Sequence, residues 1–357
     1  MNHFQKKVTA VLPARNCRRE LAVCISALLA GDCPPQIIVV DDGSDDGTAQ
    51  MVGRRWPSAV LLRVPAHTGF AHAANMGLRL VQTQYAFLIR PELQPGRSCV
   101  RRLLEALEAP GAENDFCAVP EPWKRSGAHR GTGPVRRRQP VPVLAVPDGC
   151  AMYRMEVLEE IGWFDERHFD GLEALDLALR AALAGARTVQ VPGARVRPAD
   201  GPGGGCAADS GRNAYGVRVN TFRRQMTAGN AGFVIYKNLP LFQRALNLPA
   251  LTAVERAQAA AFAGRGEIEE YRMARERGRA LCALEKERRE ALADGVSVWA
   301  ETLADASFLG MEEPADRMYP LFLAQKAPFS LHGLPECAQL QRLLIRELPA
   351  IRDLLLD

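Results

Sequence analysis

The stretch QIIVVDDGSDDGT, Gln36 to Thr48, decides the fold. Four consecutive β-branched residues, Ile37 to Val40, predict a buried strand, because branching at Cβ suits an extended backbone and an unbroken apolar run suits a strand covered on both faces. The strand runs into two carboxylates, Asp41 and Asp42. A turn follows at Gly43 to Asp46, and a helical pattern begins near Thr48. In open α/β sheets ligands bind just beyond the carboxyl ends of the strands, so both acids fall where a binding site is expected. A carboxylate there can accept a hydrogen bond from a nucleobase imide or a ribose hydroxyl, and it repels a bare phosphate.

Outward from this stretch, strand and helix signals alternate. Val8 to Leu12 is a short apolar strand ended by Pro13. Arg19 to Ala30 carries Leu21, Cys24, Ile25, Leu28 and Leu29 at helical spacing. A helix over Ala49 to Arg55, a strand at Val60 to Val64, a helix over Gly69 to Leu80 and a strand at Tyr85 to Ile89 complete the series. Such alternation implies right-handed crossovers and a mainly parallel sheet flanked by helices. Between Pro120 and Pro147 the pattern fails among prolines, glycines and basic residues, including Arg136 to Arg138, and a surface loop or lid is expected. Order resumes with helices at Met155 to Ile161 and Glu173 to Ala184 and a strand at Thr188 to Val191. Gly201 to Gly205 reads as a flexible close to this part. From Tyr215 onward the chain is helical by apolar period, with Glu285 and Arg289 forming an i,i+4 pair and Leu340 to Leu356 amphipathic. The expected division is therefore 1–214 and a helical region, 215–357.

The 357 residues are enough for about two domains and a substantial core. A net charge of +4 is too small to argue for nucleic acid. A basic cluster without interleaved aromatics, such as Arg136 to Arg138, is more simply solvated or aimed at a small ligand's phosphates. Nine scattered cysteines without a C-x-x-C pair argue against a disulfide framework and a structural zinc site. No apolar run has the length of a membrane span, and Met1 to Lys7 lacks a signal peptide's apolar core. These features lead to the expectation of a cytoplasmic protein, at most peripheral at the inner face of a membrane.

Four blocks, in this order and spacing, resemble family 2 glycosyltransferases, inverting enzymes of GT-A fold that use nucleotide-sugar donors. They are VTAVLPARN (Val8–Asn16), IIVVDDGSDDGT (Ile37–Thr48), TGFAHAANMGL (Thr68–Leu78) and DGCAMYRMEVLEEIGWFDERHF (Asp148–Phe169). The resemblance covers roughly Lys7 to Pro198. It implies that Pro13, Ala14, Arg15 and Asn16 form the first loop and hold the nucleobase. One of Asp41 and Asp42 would accept from the uracil imide or ribose, and Gly69 and Asn75 would lie near the donor. Taken alone, Asp42-Gly43-Ser44 reads equally well as a turn with a helix cap, and Asn75 as a helix-packing residue.

Three positions depart from the family's pattern. Where an acidic motif usually ends in a metal-binding Asp, this chain reads Arg90-Pro91-Glu92. Glu92 can still offer an oxygen to Mg²⁺ or Mn²⁺, and Arg90 can pair with phosphate oxygens. The family's catalytic Asp aligns with Ala174, which leaves Glu173 and Asp176 as the nearest carboxylates for a general base. A frequent metal-binding His aligns with Pro198. The first reading is thus a glycosyltransferase passing sugar from a UDP-sugar to a glycan, lipid-linked or protein acceptor. The alternative is a degenerate GT-A protein that binds nucleotide or a protein partner without turnover. The helical region suits self-association or docking on a membrane-bound acceptor complex.

Overall fold

The computed structural model describes residues 7–121, 139–144, 149–199, 221–239, 244 and 248–299. The chain begins β1 (Val8–Ala14), α1 (Arg18–Leu29), β2 (Gln36–Asp42), α2 (Thr48–Arg55), β3 (Val60–Val64), α3 (Phe70–Leu78) and β4 (Tyr85–Ile89). It continues through β5 (Leu93–Pro95), α4 (Cys99–Leu107), β6 (Asp115–Glu121), β7 (Val141–Val143), β8 (Cys150–Arg154), α5 (Met155–Ile161), α6 (Glu173–Leu183) and β9 (Arg187–Pro198). Three helices follow: α7 (Thr221–Asn238), α8 (Leu248–Gly264) and α9 (Ile268–Trp299).

The strands form one sheet in the order β3-β2-β1-β4-β8-β6-β9-β5, with β7 also on β9. Neighbours among β1 to β4 are parallel, β8 enters antiparallel between β4 and β6, and β6 runs parallel to β9. Strand order reverses at β1, which opens a crevice between the carboxyl ends of β1 and β4, the place where α/β sheets take ligands. Alternation along the strands splits the core in two. In β4, Tyr85, Phe87 and Ile89 face α1 and α4, while Ala86 and Leu88 face the side of α3, α5 and α6. Burial on both faces explains why β1, β2 and β4 read as unbroken apolar runs.

The α/β architecture with a helical C-terminal block is as the alternation predicted, with several local corrections. β1 does not stop at Leu12. Pairing with β4 ends at Val11, whereas pairing with β2 runs on through Pro13 to Ala14, so the missing N–H of Pro13 costs the sheet no bond to β4. The stretch between Ile89 and Pro120, left unassigned by sequence, carries β5, α4 and β6. The loop expected over Pro120–Pro147 includes the end of β6 and all of β7. β8 was hidden because CAMYR (Cys150–Arg154) shows no alternation: four of its five residues are buried in mid-sheet. The basic run Arg136–Arg138, Gly201–Gly205, the 214/215 boundary and Leu340–Leu356 lie outside the described residues. Glu285 is buried and accepts from Arg167 Nη1 at 2.8 Å, and the side chain of Arg289, its expected i,i+4 partner, lies outside the described residues.

The helical block is fastened to α6 by buried charge. Lys237 of α7 lies 2.7 Å from Asp165 and 2.9 Å from Asp176, while Asp176 also accepts from Arg180 (3.0 Å) and Asn238 (2.7 Å). Burial pushes both carboxyls up, but Lys237 with Arg167 beside Asp165, and Lys237 with Arg180 beside Asp176, outweigh it and hold both below the usual carboxylate range. Because their folded values are depressed, the stability they contribute is complete above the unfolded Asp value of about 3.9 and is lost as pH falls below it. Lys237→Met leaves two buried carboxylates short of their ammonium. It should cost about 3–5 kcal/mol in denaturant titrations and move the acid-unfolding midpoint to higher pH. An unchanged midpoint would show that the pair is not the fastening.

Candidate functional site at the crevice between β1 and β4

The loops after β1 and β2 lock onto each other. Asn16, with φ of 48°, donates its backbone N–H to Ser44 Oγ (3.0 Å) and accepts from the Asp45 N–H (3.0 Å). The Arg18 N–H donates to Asp46 (3.1 Å). Arg15 and Asn16 are exposed at the rim, whereas Pro13 and Ala14 belong to the buried strand.

The two carboxylates of β2 have different surroundings. Asp42 is spent on the loop before α3: it accepts from the Thr68 N–H (2.7 Å), Thr68 Oγ1 (2.8 Å) and the Gly69 N–H (3.1 Å), with His67 Nδ1 at 2.6 Å. Asp41 accepts from the Ser44 N–H at 3.2 Å, and its other oxygen has the exposed Arg63 at 3.6 Å. Both are buried, whereas the Arg63 side chain beside Asp41 is 62% exposed.

Gly69 and Asn75 serve contacts within the protein. A side chain on Gly69 (φ 95°) would meet Phe169 at 2.7 Å, and the Ala71 N–H donates to the Phe169 carbonyl (3.1 Å). Asn75 is buried on α3. Its amide donates to the Phe164 carbonyl and to Glu166 (2.9 Å each) and accepts from the Phe164 N–H (3.0 Å).

At the carboxyl end of β4 a buried cation sits among carboxylates. The Arg90 guanidinium is nearly buried, stacks 3.6 Å over the Phe70 ring, hydrogen-bonds Asp170 and lies 3.4 Å from Glu173. Arg223 of α7 approaches Asp170 at 3.8 Å. Burial pushes the Asp170 carboxyl up, but Arg90, Arg223 and His67 outweigh it and hold the group below its usual value. Glu173 and Asp176 are fully buried, whereas the Asp170 side chain keeps 19% exposure. Sequence reasoning passed over Asp170. The available signal was Gly171 beside it, marking a turn just ahead of a helix that begins with an acid. One oxygen of Glu92 is buried without a hydrogen-bond donor among the described residues, and the Glu92 carbonyl accepts from the Ala199 N–H (2.8 Å), placing it next to Pro198.

The profile of the family described as Glycosyl transferase family 2 matches residues 9–162. This segment belongs to glycosyl transferase family 2. An N-acetylglucosaminyl-diphospho-decaprenol L-rhamnosyltransferase of Mycobacterium tuberculosis is 27% identical over 223 residues, 52% of this chain and 72% of that protein. An uncharacterized glycosyltransferase of Mycobacterium bovis is 27% identical over 190 residues, 52% of this chain and 83% of that protein. Two solved structures superpose loosely. TarS 1-349 of S. aureus has a TM-score of 0.47 at 12% identity, covering 77% of this chain and 91% of that one. The mannosyltransferase PcManGT of Pyrobaculum calidifontis, in complex with GDP-Man and Mn²⁺, has a TM-score of 0.46 at 17% identity, covering 98% and 87%. The family 2 segment contains Asp41, Asp42, Arg90 and Glu92 and ends ahead of Asp170, Glu173 and Asp176.

The described residues contain one group of three side chains able to hold a divalent ion, Asp165, His168 and Asp176, with ligand atoms within 4.8 Å of one another. In the fold described above Lys237 bonds both acids, so an ion there would have to displace an ammonium group. At the crevice, the undonated Glu92 oxygen is the atom suited to a cation, as a single ligand. No helix among the described residues is long and apolar enough to cross a membrane.

The two β2 carboxylates should separate cleanly on mutation. Asp42→Ala strands the Thr68 and Gly69 donors and should lower stability by about 2–4 kcal/mol, while Asp41→Asn should stay within about 1 kcal/mol of wild type. Chemical denaturation of both variants checks this, and equal losses would contradict the division of roles.

Proposed function

We propose that this chain is a glycosyltransferase that takes a UDP-sugar in the crevice between β1 and β4 and passes the sugar, with inversion, to an acceptor hydroxyl. The observation that carries this reading is a nearly buried guanidinium, Arg90, at the end of the central strand of a family 2 segment. A cation there is placed for a diphosphate leaving group, whose charge grows as the sugar departs and is best stabilised by groups already oriented. Asp41, uncovered when Arg63 swings away, accepts from the uracil imide, with Arg15 and Asn16 closing over the base. Glu92 is the residue that would hold a divalent ion, which would share the diphosphate charge with Arg90. Gly69, Asn75 and Asp42 shape the wall by fixing the turn before α3.

Inverting transfer needs a proton acceptor opposite the leaving group. Asp170 is the carboxylate with access to solvent; Glu173 stands behind it against Arg90, and Asp176 anchors α6 from beneath. The 27% identical relative is named for transfer of L-rhamnose to a decaprenyl-diphosphate-linked sugar. That name supports a lipid-linked sugar as acceptor in surface polysaccharide synthesis, with this chain working at the cytoplasmic face of the membrane.

A second reading is favoured by Ala174, buried where the family places its base: nucleotide binding without turnover. Nucleoside diphosphate release from a panel of nucleotide-sugars, with and without Mn²⁺ and a polyprenyl-diphosphate-linked sugar, tests both. The first reading expects turnover, and a fall in kcat of about 100-fold or more in Asp170→Asn. Arg90→Ala should weaken UDP binding about 10-fold or more. UDP binding with no turnover, restored by Ala174→Asp, would establish the second reading. Neither binding nor turnover would overturn both.

A further inference from the structure

We infer that Asn230 on α7 and Arg277 on α9 are positioning residues for the Arg90–Asp170 pair, so that the helical block holds the crevice in working shape. This rests on the nucleotide reading above for its effect on ligand, though not for its geometry.

The turn that carries Asp170 cannot hold itself. Phe169 (φ 63°) and Leu172 (φ 67°) both occupy the left-handed region that L side chains disfavour, and Gly171 between them has φ of 91°. Such a run persists only when its surroundings over-determine it. Three carbonyls of the turn face α7: the Asn230 amide donates to His168 (2.9 Å), Asp170 (3.2 Å) and Gly171 (2.7 Å). A carbonyl only accepts, so the NH₂ group of Asn230 must face the turn, and something must hold it that way round. Arg277, which only donates, bonds Asn230 Oδ1 at 2.6 Å and so excludes the flipped amide. The same guanidinium donates to the Arg167 (2.8 Å) and His168 (3.3 Å) carbonyls.

Close packing of α7 and α9 makes this reach available. A Cβ on Gly278 would collide with the Gly229 carbonyl, and one on Gly229 would lie 2.7 Å from the Ala274 carbonyl, so the two backbones touch beside both residues. On its other side the turn presses Phe169 onto Gly69 at the start of α3 and delivers Asp170 to Arg90. The chain of contact therefore runs from α9 through α7 and the turn to the cation in the crevice. Asn230 is fully buried.

Amide hydrogen exchange and calorimetry on the full chain test this, using Asn230→Ala, Arg277→Ala and, as a control for general loosening of α7, Val234→Ala. Val234 is a buried core residue of the same helix. The expected result is faster exchange at Phe169 and Asp170 in the first two variants but not in the control. UDP affinity should fall about tenfold more than UMP affinity in those two, because only the diphosphate reaches Arg90. The inference is overturned if the control produces the same changes, if UDP and UMP weaken equally, or if exchange in the turn is unaltered. Should the wild-type protein bind neither nucleotide, the nucleotide reading fails, and exchange alone still decides the role of Asn230. Arg277→Ala covers the case in which Asn230→Ala does not fold.

Discussion

A guanidinium taken out of water at the end of a central strand has to be neutralised and hydrogen-bonded, because a buried charge without partners costs several kcal/mol. Much of the crevice follows from meeting that demand for Arg90. The Phe70 ring lies under its face, Asp170 meets its edge, Glu173 stands behind, and the backbone of Gly149 lies where any side chain would strike it. To bring Asp170 into place the chain adopts a turn in which Phe169, Gly171 and Leu172 all have positive φ. That turn in turn requires the amide of Asn230. The C-terminal helices are thus bound into the crevice by a requirement that starts with one charge on β4.

A second layer of charge lies below the first and does different work. Asp165, Asp176, Lys237, Arg180 and Arg167 form a buried set in which the carboxylates have basic or amide partners from α6, α7 and the turn ahead of α6. Asp176, Lys237 and Arg180 are buried, whereas Asp165 keeps 11% exposure and Arg167 29%, and the cations are side chains of the protein. In the upper set Asp170 keeps 19% exposure and His67 29%, and Arg63 beside Asp41 is largely in water. Among the carboxylates the contrast is between Asp176, which is fully buried, and Asp170, which keeps access to solvent.

How much of this was legible in the sequence depended on the range of the interaction. β1 to β4 and their helices were legible as elements, with the end of β1 corrected from Leu12 to Ala14, because each is short, local and either largely apolar or at helical spacing. The acids at the end of β2 were found for the same reason. β8 was missed because a strand buried on both faces next to a helix start gives no periodic signal. The choice between Asp41 and Asp42 was invisible because it depends on the Thr68–Gly69 loop, 26 and 27 residues away. Attention went to Glu173 and Asp176 because the family resemblance pointed there, but exposure falls to Asp170, and exposure is set by the fold. The partners of Asn230 and Lys237 lie some 60 to 70 residues distant, so the binding of the helical block to the turn had no local trace at all.

The central claim is that Arg90 receives the diphosphate of a nucleotide whose base lies against the end of β2. A crystal structure of the protein soaked with UDP tests it most directly. The account predicts phosphate oxygens within hydrogen-bond distance of the Arg90 guanidinium and the uracil edge at Asp41, with Arg63 displaced. A nucleotide bound elsewhere, or one whose phosphates avoid Arg90 while its pairing with Asp170 stays closed, would contradict it.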